Sequence, residues 1–133
     1  MRSTLPLAVV FAVASAIGAH AAGDHIGRTA LVVGDDGTEV QQQFAADTPK
    51  IVLHVELKGA EPGAKIEGAW IAVKTDVAPP NYKIDAATVT ADNGQDEATF
   101  ALSKPDAGWP VGSYQVQLTY DGAVEKTVPF TVK

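Results

Sequence analysis

The chain has no cysteine and a single methionine. That absence excludes disulfides, a lipidated cysteine, a thiolate nucleophile, thiolate zinc sites and iron–sulfur ligation. Positive charge is scarce: ten Lys and Arg stand against sixteen Asp and Glu, for a net charge of −6, and the arginines are Arg2 and Arg28 alone. Binding a nucleic acid takes clustered cations that displace condensed counterions, so nucleic acid is not an expected partner. Past the first twenty or so residues no apolar run approaches the ~18 residues of a membrane helix. No window there of about 11 residues or more holds a 3.6-residue period either. A length of 133 residues leaves room for one domain.

What is present begins with an address. Met1 to Ala22 reads MRSTLPLAVVFAVASAIGAHAA. Arg2 precedes an apolar run from Leu5 to Ile17, which has the length of a signal-peptide core and is short for a ~30 Å hydrocarbon layer. Ala19-His20-Ala21 forms an A-x-A cleavage site. The expected organisation is a signal peptide over 1–21, a flexible arm over 22–28 and one folded domain over 29–133. Such a protein is exported, to a bacterial periplasm or the medium, and keeps no membrane span after cleavage.

The remaining sequence is written in short alternating runs. In Lys50–Lys58, Ile51, Leu53, Val55 and Leu57 share one face while Val52, His54 and Glu56 share the other. In Gly112–Tyr120, Tyr114, Val116, Leu118 and Tyr120 face in, and Ser113, Gln115, Gln117 and Thr119 face out. Asp121-Gly122 is a two-residue hairpin turn. Ala123–Val132 returns with Val124, Val128, Phe130 and Val132 inward, and Lys126 breaks the pattern. Further strands are expected over Thr29–Val33, Lys65–Lys74, Tyr82–Ala91 and Glu97–Leu102, with Thr38–Phe44 as an edge strand or irregular segment. Seven or eight such strands, with turn chemistry between them, predict an all-β antiparallel sandwich. A small barrel is the alternative.

The segment Phe100–Val132, FALSKPDAGWPVGSYQVQLTYDGAVEKTVPFTV, resembles the closing strands of an immunoglobulin-like module of exported bacterial proteins. The matching residues are Trp109, Pro110, Gly112, Tyr114, Asp121, Gly122, Phe130 and Val132, joined upstream by Pro62-Gly63 and Trp70. The resemblance runs over Phe44–Val132 and implies an immunoglobulin-like β-sandwich. It implies no one activity, because such modules serve adhesins, chaperone-like proteins, inhibitors and enzyme accessories alike.

Catalytic chemistry is hard to assemble from these residues. Beyond the leader the serines are Ser103 and Ser113 and the histidines His25 and His54, with no G-x-S-x-G elbow. Glu56 and Glu67 lie within strands, where paired acid–base carboxylates could be built, yet alternation places both toward solvent. The runs Asp92–Glu97 and Asp35–Glu39 offer oxygen ligands but match no calcium-loop pattern. A leader cut after Ala22 would expose Gly23-Asp24-His25, whose amine, amides and imidazole form a square-planar nitrogen set for copper(II) or nickel(II). His54, with Glu56 two residues on, is the second candidate metal ligand. Trp109, in a loop beside Pro110, is the aromatic most expected to be partly exposed for a partner.

The sequence therefore predicts a non-catalytic exported module that binds another protein through loops or a strand edge and carries no cofactor. The alternative is a periplasmic copper- or nickel-binding protein using His25 and His54.

Overall fold

The computed structural model of the protein describes residues 25–133. The expected signal peptide, and residues 22–24 of the expected arm, lie outside them. Eight strands follow in order: β1 Ile26–Val33, β2 Gln43–Phe44, β3 Lys50–Leu57, β4 Lys65–Thr75, β5 Tyr82–Thr90, β6 Glu97–Ser103, β7 Gly112–Tyr120 and β8 Ala123–Val132. They form two sheets, one ordered β1-β3-β6 and one ordered β2-β8-β7-β4-β5. All pairs are antiparallel except β2 with β8.

The core lies between the sheets and is built by alternation. Ile51, Leu53, Val55 and Leu57 of β3 are buried against Ile66, Trp70 and Ala72 of β4 and Val116 and Leu118 of β7. Gly68 makes room for the Phe100 ring of the facing sheet, since a Cβ there would lie 2.8 Å from it. At one end an aromatic cluster closes the sandwich. Phe130 stacks on Tyr114, with ring centroids 5.2 Å apart, and meets Phe44 and Trp70 edge-on. Each such pair adds ~0.5–1.5 kcal/mol beyond the area it buries.

The segment Thr38–Phe44, expected as an edge strand or irregular segment, is irregular up to Gln43, where the two residues of β2 begin at the end of their sheet and pair in parallel with Thr131 and Val132. Three other expectations are corrected. The expected arm is strand from Ile26 onward, because Ile26 pairs with Leu57 across the sheet. Trp109 is buried, at 3% exposure, because its indole N–H needs an acceptor and donates to the Thr48 carbonyl at 2.7 Å. Val124 points outward at 56% exposure. The register there pairs Thr119 with Val124 but Leu118 with Lys126, so Glu125 is an extra residue in a β-bulge. One extra residue reverses the faces, which is why Val124 leaves the core and Glu125 enters it.

Candidate functional site

The residues that the sequence offered for metal binding stand in different places. His25 is held at the start of β1. Its backbone N–H donates to Glu125 Oε1 at 3.0 Å, its Nδ1 lies 2.9 Å from Oε2, and its ring stacks on Tyr120 at 3.8 Å. The Glu125 side chain is 2% exposed, so the bulge buries a carboxylate and His25 is its partner. A copper site at Gly23-Asp24-His25 would claim the amide and imidazole that this carboxylate engages. His54 sits on the outer face of β3, its Nδ1 3.2 Å from Glu97 Oε2. The Lys58 N–H donates to the His25 carbonyl, and four residues of strand separate Lys58 from His54, about 13 Å. Ligands of one metal ion must converge within a few ångströms, so the fold does not bring His25 and His54 to a shared site. Among the described residues no group of three or more His, Asp and Glu is placed to hold a metal.

The other candidates are absorbed by the scaffold. Glu56 reaches over Gly27, where the β1 register slips, and accepts the Arg28 N–H at 3.0 Å. Ser103 pairs with Lys50 and His54 with Thr99, so the two are four residues apart along β6, again about 13 Å. Ser113 lies on the other sheet. Asp35 meets Lys50 Nζ, and Asp92–Glu97 is a turn closed by the Gln95 side chain, which bonds the Asp92 N–H and the Glu97 carbonyl.

What the sequence missed is a groove at the end of the sandwich. It measures about 470 Å³ and is lined by Val77, Pro79, Tyr82, Ile84, Ala107 and Trp109, among others. Trp109 forms part of its wall from within the core. The exposed rim is Val77, at 73%, and Tyr82, at 52%. Two loops make it: 76–81, which carries Pro79-Pro80 and Asn81 at φ 57°, and 104–111. Its buried aromatic polar groups are already paired, since the Tyr114 hydroxyl donates to the Pro110 carbonyl at 2.5 Å and the Trp109 N–H to the Thr48 carbonyl. Burial also pushes the Tyr114 phenol above its ordinary value of 10.0. The groove therefore offers apolar contact and no charge. Beside it runs β5, the end strand of its sheet, with one edge unpaired among the described residues.

The Tyr114–Pro110 bond is a tyrosine corner, a side chain at the start of one strand bonded to backbone four residues upstream. No protein-family model and no curated protein matches the chain. Among solved structures, an immunoglobulin-like protein from Pseudomonas aeruginosa superposes with a TM-score of 0.57 at 16% identity, covering 87% of this chain and 100% of that one. The fold is an immunoglobulin-like β-sandwich. A mutant β-glucosidase from Listeria innocua, in complex with laminaribiose, matches with a TM-score of 0.48 at 13% identity, over 80% of this chain and 16% of the enzyme. In this immunoglobulin-like sandwich the buried Trp70 on β4 and the tyrosine corner at β7 occupy the positions where the architecture commonly uses such residues. No helix among the described residues is long and apolar enough to cross a membrane.

Proposed function

We propose that the chain is a non-catalytic, exported binding module. It takes an extended segment of another protein along the free edge of β5 and seats one apolar side chain of that segment in the neighbouring groove. The observation that carries this reading is the groove itself: an uncharged hollow rimmed by exposed Val77 and Tyr82, flush with a nine-residue end strand. An unpaired strand edge supplies main-chain hydrogen bonds to an added strand, and a side-chain pocket supplies selectivity. Tyr82 suits this role because a large rigid ring contributes contact at little entropic cost.

The test is selection of random linear peptides against the purified protein. Enriched peptides should share one apolar position, and their amide shifts should map to β5 and the groove. Val77→Asp and Tyr82→Arg should each weaken binding at least about tenfold, because an unpaired charge in an apolar site costs more than ~1.4 kcal/mol. Peptides that map to another surface, or that ignore both substitutions, would sink the reading.

A further inference from the structure

The open edge of β5 carries a stretch of sequence suited to strand pairing. Between Asp85 and Asp92 the chain reads Ala86-Ala87-Thr88-Val89-Thr90-Ala91, with no charge, no proline and no glycine. Its register against β4 is unbroken from Ala86 opposite Ala69 to Thr90 opposite Lys65. The end of the stretch shows which main-chain groups face outward. The Ala91 N–H donates to the Ala64 carbonyl and the Ala91 carbonyl accepts the Gly63 N–H, so Ala91 is bonded on the β4 side. Bonding alternates along an antiparallel strand. Ala86, Thr88 and Thr90 therefore turn their N–H and C=O groups to the open edge. One of these N–H groups is already taken. Asp85 Oδ1, on an exposed side chain, accepts the Ala86 N–H at 2.9 Å. Ile84 beside it has no partner in β4, because the register slips between Lys83 and Asp85, and such a bulge bends an edge away from a straight partner.

We propose that Asp85 guards this edge and closes it to pairing with β5 of a second copy. An uncharged, β-prone stretch with its main chain in reach is the kind of segment that adds to its own copy. Two such strands, antiparallel about a two-fold axis at Thr88, set Thr88 opposite Thr88 and Ala86 opposite Thr90. Each of these pairs exchanges two main-chain hydrogen bonds. The Ala86 N–H of each copy then has to reach the Thr90 carbonyl of the other, and the Asp85 carboxylate stands on that N–H. It also sets a negative charge against a carbonyl, which has no proton to offer. The guard acts twice in one symmetric contact and leaves only the Thr88 pair unhindered. On the reading given above, a linear partner anchored in the groove brings contacts that offset the displacement of Asp85. A second copy, meeting the edge with its own edge, brings none.

Sedimentation equilibrium without any peptide, from about 20 µM to 1 mM, tests the guard apart from the groove. The wild type should remain a monomer. Asp85→Ala frees the Ala86 N–H in both copies and should lower the dissociation constant at least about tenfold, with a mass rising toward the dimer. Asp85→Asn keeps an acceptor in the same place and should behave as the wild type. Thr88→Pro removes an edge donor and leaves the ladder to β4 intact, so added to Asp85→Ala it should restore the monomer. Amide exchange at low concentration reads the guard directly: Ala86 should exchange more slowly than Thr88 in the wild type, and as fast as Thr88 in Asp85→Ala. Asp85→Ala that stays monomeric at 1 mM overturns the proposal. So does a wild type that associates as strongly, a dimer that ignores Thr88→Pro, or an Ala86 amide that is unprotected in the wild type.

Discussion

The two outer faces of the sandwich carry charge in opposite ways. On the three-stranded sheet a hollow of about 480 Å³ is lined by Arg28, His54, Glu56, Asp96 and Glu97. There the charges hold the sheet itself. Glu56 fixes the Arg28 N–H, and His54 meets Glu97 across β3 and β6. On the five-stranded sheet a hollow of about 650 Å³ is lined by Gln42, Gln43, Ser113, Gln115 and Thr131, with no charged side chain. The difference follows from strand pairing. At the β1 slip between Ile26 and Thr29 the Arg28 N–H goes to the Glu56 side chain, whereas beside the uncharged hollow Ser113 and Gln115 pair with both β4 and β8. A face whose polar groups are consumed by its own backbone has little left for a partner. Where the ladder is continuous, the outer side chains are left at liberty.

Both faces rest on one core, and removing Trp70 should break the comparison altogether. Trp70 is among the largest fully buried side chains and contacts Phe130 edge-on. Trp70→Ala should cost about 3–5 kcal/mol, read as a lower urea midpoint, with peptide binding lost as well. Retained stability would mean that the core collapses around the cavity, and that the two faces are less tied than their shared interior implies.

Removal of the buried carboxylate should separate the faces. Glu125→Ala removes the carboxylate that the His25 N–H and Nδ1 both contact. A hydrogen bond to a charged group contributes about 1.5–3 kcal/mol. The loss should appear as faster amide exchange at Ile26, Gly27 and Arg28, with the five-stranded face unaffected. Fast exchange already present in the wild type would show that the clamp contributes nothing.

Most of this frame was legible in the sequence. The inward faces of β3 and β7 came directly from period-two alternation, and the outward Ser113, Gln115, Gln117 and Thr119 came with them. The bulge at Glu125 was not, because alternation carries no sign of an inserted residue; its one trace was Lys126 at a position expected in the core. The His25 contact joins residues 100 apart in sequence, and no local pattern records it. Trp109 misled for a related reason. A loop beside a proline reads as surface until the Thr48 carbonyl that accepts its N–H is located. The groove is assembled from two separate loops, so it exists only after folding.

Tyr114 sharpens the comparison from the groove side. Its folded-state phenol is raised above 10.0 by burial. Below about pH 10 folded and unfolded chains both hold this proton, so it gives no pH slope. Above that, the unfolded chain ionises first and the native state retains the proton, so stability falls as pH rises toward the raised value. Tyr114→Phe should remove that fall and cost about 0.5–1.5 kcal/mol at neutral pH through the lost bond to Pro110. Urea melts of both proteins between pH 8 and pH 11 decide it, and parallel curves would show that Tyr114 does not set the alkaline limit.

The smallest effect belongs to the pair that looks most like a site. His54 and Glu97 lie 3.2 Å apart on facing strands and are both substantially exposed. An exposed ion pair gains little in water and spends side-chain entropy to form, so such pairs contribute ~0–1 kcal/mol. Glu97→Ala and His54→Ala should each change stability by no more than about 0.5 kcal/mol, and the double-mutant coupling should vanish in ~0.5 M salt, where the screening length is only a few ångströms. A larger, salt-resistant coupling would mean that the hollow around His54 is drier than a surface, and that the charged face has a binding role of its own. A small one leaves the strand-end groove as the surface shaped to meet a partner.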